Sequence, residues 1–420
     1  MTHPTAIQEN ESPLEKITAA GIPVYLSGFS AIDSYLGKKS GAAVHALCTA
    51  DLADLARLFE DLRYPGAALA NAAVDSGGKT WYFRCEDMPA NTGLPFCGLP
   101  QSAMPPLGNA SFGFLEFYRD CKNGRYYDPN GLYPQFRRLR DGAAYRNAAP
   151  EHNAFGEWHE TAGTQAHPRR ILGDGALILA RYFPETASRK IGAIAEKLRS
   201  ACRMQDQPGE APGTEEQRQL LVALLEAENP AAGFELLNKT GYIPAWWPEL
   251  AMLDEVDHSK EYHPEGNVWK HTLEALRHRK AASGGFDLRL SLGLLLHDAG
   301  KPLSKAAGSR RFDGHAELGV RQARRFLERL GFDSALSGDV CYLVRNHMLT
   351  AALPRLPLAR TGEIMASPLF PLLLELYRCD EASSFKGLDG YYQSSAAYRN
   401  WLKYRRNPYH SIPAASYRQY

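Results

Sequence analysis

The stretch DLRLSLGLLLHDAGKP, residues 287–302, decides what the second half of this 420-residue chain is. Leucine recurs at 288, 290, 292, 294, 295 and 296, a density no solvated face would carry, so the run predicts a helix sunk in a core. His297 and Asp298 adjoin at its end. An ionised carboxylate behind LSLGLLL loses its hydration and needs a compensating charge. A metal ion supplies one, and the flanking sequence offers further donors. Seven of the thirteen histidines fall between His258 and His347. His271 lies inside GNVWKHTLEALRHRKA, His315 opens HAELGVRQARRFLERLG, His347 sits in SGDVCYLVRNHML, and Asp380 ends the apolar stripe of SPLFPLLLELYRCDEASS. These segments all have helical spacing, so the back half reads as an all-helical module. Neutral imidazoles and carboxylates suit manganese, iron, cobalt, nickel or zinc. For His315 the competing reading is a helix-start residue, and for His347 a packed ring on a helix face.

Composition bounds the rest. With 44% hydrophobic and 23% charged residues, the chain can bury a large core and should divide into two or three domains. A net charge of +1 excludes a global basic field, so nucleic acid would have to meet a local patch such as FRRLRDGAAYR, residues 136–146. No window approaches the ~18 apolar residues of a membrane span, and the first residues lack the order of a signal peptide. The expectation is a cytoplasmic protein with no membrane partner. The seven cysteines form no CxxC pair, against a zinc ribbon or a disulfide framework.

The front half alternates element types. IPVYLS, residues 22–27, predicts a strand running into Gly28; IDSYLG predicts a helix closed by Gly37; VHALCT, residues 44–49, predicts a second strand. DLADLARLFEDL has helical spacing, KTWYFRCED reads as a strand, and a hairpin turns at Lys122 to Gly124. From ILGDGALILARYF onward the pattern is helical. The expected division is a head over 1–140, a linker and helical neck over 141–255, and a last domain over 256–420.

HDAGKP resembles the HDxGK form of the HD phosphohydrolase superfamily, and the order His271, His297 and Asp298, Asp380 is similar to that superfamily's ligand order. The resemblance implies that these four surround a cation. It also implies that His315 and His347 stand where bimetallic members place two extra histidines, so that six ligands hold two ions with Asp298 bridging. Asp298 would then orient or deprotonate a metal-bound water, and Lys301 would contact a phosphate oxygen.

From about residue 16 to about 400 the chain resembles the bacterial CCA-adding tRNA nucleotidyltransferase and poly(A) polymerase family in its HD-bearing form. ELLNKTGYIPAWWPELAMLDEVDHSKEYHPEGNVWKHTLEAL is similar to the family's junction between neck and HD domain, and YYDPNGLYPQF to its DPxGGxxDL segment. In that register GFSAIDSYLG lies on GGxVRDxLLG, with Phe29 in place of a glycine and Ile32 in place of the arginine. A bulky ring there is expected to obstruct the backbone's approach to a triphosphate. VHALCT lies on DxDxxT with Val44 and Ala46 in the two carboxylate positions, and AHPRRIL stands in place of EDxxRIL, keeping only Arg170. Glu86 and Asp87 follow the third strand a few residues late.

The resemblance implies an α+β fold: a nucleotidyltransferase-like α/β head, a helical neck and an all-α HD domain. The expected activity is a metal-dependent phosphohydrolase acting on a nucleotide, cyclic nucleotide or RNA-end phosphate, with an inactive transferase site. The alternatives are CCA addition or polyadenylation, and a non-catalytic RNA-binding module. Expected partners are a nucleotide or phosphorylated small molecule, and tRNA or another RNA. The expected cofactor is one or two divalent transition-metal ions.

Overall fold

VYLS alternates in burial, AVHALC alternates and then ends in three buried residues, and the two short strands lie at the middle of a six-stranded sheet. The computed structural model describes residues 11–39, 41–65, 70–85, 112–141, 168–202, 211–257, 266–281, 285–309, 312–384 and 387–406. The chain divides into two compact units, Met1–Trp246 and Trp247–Tyr420.

The first unit begins with α1 (Pro13–Ala19), β1 (Val24–Ser27), α2 (Phe29–Leu36), β2 (Ala43–Cys48), α3 (Leu52–Leu58), β3 (Ala72–Ser76) and β4 (Lys79–Cys85). The hairpin β5 (Tyr118–Asp120) and β6 (Tyr126–Tyr127) follows, then α4 (Tyr133–Asp141). Strand order is β3-β4-β2-β1-β5-β6, with β2 and β4 parallel and the other pairs antiparallel. Ile17 of α1 and Leu55 of α3 cover one face, packing on Val24, Ala46, Cys48, Val74 and Phe83. Each large side chain so buried contributes roughly 1.5–3 kcal/mol. Gly28 stands before α2 with φ of +54°, a backbone state that a Cβ would strain.

The neck completes this unit with α5 (Pro168–Tyr182), α6 (Ser188–Ala201), α7 (Thr214–Leu225), α8 (Ala231–Lys239) and α9 (Tyr242–Trp246). Buried Asp33 of α2 ties head to neck, accepting from Arg181 at 2.9 Å and from the Tyr182 hydroxyl at 2.8 Å. The glycine turn's aspartate therefore serves packing.

Among the described residues the second unit is helical apart from turns and one isolated bridge between Asp257 and Asn267: α10 (Pro248–Ala251), α11 (Val268–Arg277), α12 (Leu288–Leu296), α13 (Lys301–Ala306), α14 (His315–Arg329), α15 (Ser334–Ala352), α16 (Leu358–Ala366), α17 (Phe370–Ala382) and α18 (Asp389–Arg406). Asp287 caps α12 by accepting from the Arg289 and Leu290 amides, and Leu290, Leu292, Leu294, Leu295 and Leu296 are all buried. This helix packs on α11, α15 and α17, so its end is delivered to the middle of the bundle. The fold is α+β, with an α/β head and a helical neck in the first unit and a helical second unit. No helix among the described residues is long and apolar enough to cross a membrane.

Close approach of α5 and α8 rests on Gly233, where a Cβ would meet the Ala176 carbonyl oxygen and Leu224 Cδ2, both at 2.6 Å. Gly233→Ala is expected to destabilise the chain by about 1–3 kcal/mol through overpacking, read as a lower midpoint of thermal or urea unfolding.

Candidate functional site

Four imidazoles and two carboxylates converge in the second unit. His271 comes from α11, His297 and Asp298 from the end of α12, His315 from the first turn of α14, His347 from α15 and Asp380 from α17. All are buried except Asp380, whose side chain is 26% exposed. The rings are oriented alike. Nδ1 of His297 bonds the Leu294 carbonyl at 2.8 Å, Nδ1 of His315 that of Phe312 at 2.8 Å, and Nδ1 of His347 that of Val344 at 2.7 Å. A carbonyl only accepts, so each of these Nδ1 atoms carries the hydrogen. Ser383 Oγ donates to the Asp380 carbonyl at 2.6 Å, which leaves it to accept from His271 Nδ1 at 3.1 Å. In the neutral rings, all four Nε2 atoms therefore present lone pairs.

Those lone pairs face one another and the carboxylates. His315 Nε2 lies 3.1 Å from His347 Nε2, and His271 Nε2 lies 2.9 Å from Asp380 Oδ1. Two lone pairs so close repel unless a positive charge joins them. Ligand atoms ~2.1 Å from a cation and at right angles stand roughly 3.0 Å apart, close to these spacings. Buried His297 Nε2 makes no hydrogen bond among the described residues. Asp298 turns Oδ2 toward His297 at 3.2 Å and His271 at 4.0 Å, and Oδ1 toward His315 at 3.6 Å and His347 at 3.9 Å. Five of the residues thus fall into two groups that share Asp298, one with His271 and His297 and one with His315 and His347, each able to hold a divalent cation, and Asp380 stands beside the first.

Charge states agree with this geometry. Burial alone would raise the Asp298 carboxyl, but His297 and Lys301 overcome it and hold Asp298 well below the usual carboxylate range. Burial, then the neighbouring His297 ring, pushes His347 down to about 4, so it is neutral at pH 7.

Two further features were not legible in the motif. Lys301, expected to reach a phosphate, bonds Asp298 Oδ2 at 2.7 Å and stands 5.7 Å from the centre of the Phe312 ring. The short step from Asp298 to Lys301 makes this intrachain pair easier to form than an outward reach. Ser383 orients His271, and only its place three residues after Asp380 could have signalled it. Gly300 lets α14 cross closely: a Cβ there would lie 1.9 Å from the His315 carbonyl oxygen and 2.5 Å from the Gly319 nitrogen.

In the first unit a cleft of about 180 Å³ opens between the sheet and the neck, lined by His45, Arg84, Arg169, Arg170 and Arg181 among others. Ala46 packs into the core with Ile17 and Leu55, and Val44 shares its face by strand alternation. His45 faces the other way, its ring stacked on Tyr82 at 5.1 Å. Either face of β2 therefore lacks a carboxylate. Phe29 lines the cleft, its ring stacked on Tyr182 at 6.3 Å with the Arg181 guanidinium 5.2 Å from its centre. Of these residues sequence reasoning kept Arg170 alone, because the arginines come from separate elements. Glu86, Asp87, Ala166 and His167 lie outside the described residues.

The HD domain family model matches residues 267–367, a span containing His271, His297, Asp298, His315 and His347 but not Asp380. The chain is 35% identical over 189 residues to the CC-adding tRNA nucleotidyltransferase of Thermus thermophilus, covering 44% of this chain and 42% of that one. It is 32% identical over 192 residues to the Multifunctional CCA protein of Halorhodospira halophila, covering 45% and 44%. The matched stretch thus spans under half the length of these two relatives. Among solved structures, the Bacillus stearothermophilus CCA-adding enzyme in complex with CTP aligns with a TM-score of 0.45 at 15% identity, over 93% of this chain and 80% of that one. The expected phosphohydrolase with an inactive transferase is corrected by these relatives, one named a CC-adding tRNA nucleotidyltransferase and the other a Multifunctional CCA protein, which favour the transferase alternative.

Burial, then Arg170, Arg181 and Arg84, pushes His45 down to about 3. The unfolded chain protonates this ring near pH 6.5 and the folded one does not, so stability is full above that pH and falls as pH drops toward 3. His45→Gln is expected to flatten the fall in unfolding midpoint between pH 7 and pH 5, a term on the order of 1–2 kcal/mol by pH 5.

Proposed function

We propose that this chain, which belongs to the HD-domain-bearing tRNA nucleotidyltransferase family, adds nucleotides at the 3′ end of tRNA, with the head cleft receiving the nucleotide and the RNA end. The observation that carries this is the sequence identity to relatives named for CC and CCA addition. The cleft supports it with Arg84 on β4 and Arg169, Arg170 and Arg181 on α5, groups suited to phosphate. Phosphoryl transfer of this kind ordinarily relies on carboxylate-held metal. The described head residues do not fit such an ion, since neither β2 nor β4 bears an acid. That specific observation favours a second reading, capture of the RNA end without transfer.

In the second unit, we assign His271, His297, Asp298, His315, His347 and Asp380 as ligands to one or two ions of manganese, iron, cobalt, nickel or zinc, with Asp298 bridging. Bound there, a cation supplies the charge that offsets two carboxylates. Lys301 holds Asp298 in place. The functional modules of this proposal are the head (1–140), the neck (141–255) and the HD domain (256–420).

Labelled CTP or ATP offered with tRNA lacking its terminal CCA is expected to extend the tRNA. Retained tRNA binding without extension selects the second reading; absence of both at physiological salt removes the two together. Elemental analysis tests the metal assignment. Asp298→Ala is expected to abolish the metal content, because both groups use that residue, whereas His347→Ala should lose one ion of two. Equal metal content in all three proteins would sink it.

A further inference from the structure

Neither Ala43–Cys48 nor Lys79–Cys85, the two strands behind the head cleft, carries a carboxylate on either face. The acids that do line the cleft stand on the neck and already face guanidinium groups: Asp174 lies 3.5 Å from Arg170, and Glu216 lies 3.5 Å from Arg169. Against these two acids and Asp33, which pairs with Arg181, stand four cations, Arg84, Arg169, Arg170 and Arg181, an excess of one positive charge. Arg181 is held in place by Asp33 at 2.9 Å. Three of the four, from two different elements, bear on His45, which locates where their fields meet. An ion would thus enter a cleft whose charge is already positive and whose sheet offers it no ligand. A phosphate group meets the opposite situation. Guanidinium grips phosphate oxygens bidentately, keeps its charge at every working pH and needs no intervening metal. Gly28 and Phe29, at the start of α2, border the same cleft, and the Gly28 N–H is itself donated to the Phe117 carbonyl at 3.0 Å, so the guanidinium groups are the donors on which phosphate binding rests.

We infer that the head cleft binds the phosphate groups of a nucleoside triphosphate without a divalent cation, its arginines occupying the role that a carboxylate-held ion would have in ground-state binding. This rests on the placement of the nucleotide in the head under Proposed function, and it concerns binding rather than transfer. Arg84, the sheet's own cation, and Arg170, the neck's, grip from opposite walls.

The test is equilibrium dialysis of the full chain with ATP and with CTP, in excess EDTA and in excess magnesium. Dissociation constants that agree within about twofold between the two conditions are expected. Arg84→Gln and, separately, Arg170→Gln should each weaken binding about tenfold or more in EDTA, with thermal melting confirming that each variant is folded. Their loss attributes the binding to the head rather than to the histidine cluster of the second unit. Binding that requires magnesium, no binding in either condition, or binding indifferent to both folded variants overturns the inference. EDTA-resistant binding without tRNA extension removes the transfer reading and leaves the inference standing. Extension together with magnesium-dependent nucleotide binding does the reverse.

Discussion

A carboxylate with 2% of its side chain exposed, surrounded by four histidine rings and a lysine, is the constraint on which the second unit is built. Asp298 cannot be left ionised in that interior without positive charge close by, because desolvation there costs several kcal/mol. Lys301 satisfies part of Oδ2, and the proposed cation would supply the remaining compensation. The apolar body of α12 exists to carry this group inward, and the close crossing at Gly300 brings His315 over it.

Ring orientation is set from behind, not by the ligands themselves. Backbone carbonyls of Leu294, Phe312 and Val344 hold three of the Nδ1 hydrogens, and Phe312 does so from a left-handed backbone with φ of 56°. A non-glycine residue in that region stores of order 1 kcal/mol of strain, which the surrounding packing must hold. Preorganisation of this kind is what lets four separate helix segments present converging lone pairs.

The head solves a different problem with the same economy of buried charge. Its one deeply placed acid from the glycine turn, Asp33, is consumed by Arg181 and Tyr182 and serves the junction with the neck. The cleft beside it is dominated by guanidinium groups, with His45 held neutral among them. A sheet that ordinarily would present acids to an ion presents instead Val44 and Ala46 to the core and His45 to the cleft.

The sequence by itself determined the element types through their period, and the resemblance carried by its motifs implied the α+β class and the six candidate donors. Relatives, not spacing, overturned the phosphohydrolase reading, because an HD motif specifies a donor set and no substrate. Tertiary structure alone decided that Lys301 turns inward to Asp298 and that Phe29 stacks on the neck. It alone gathered Arg84 with Arg169, Arg170 and Arg181, residues far apart in the chain. The reason is physical: which side chains a helix or strand exposes follows from its period, but which neighbour neutralises a charge depends on distances that only packing sets.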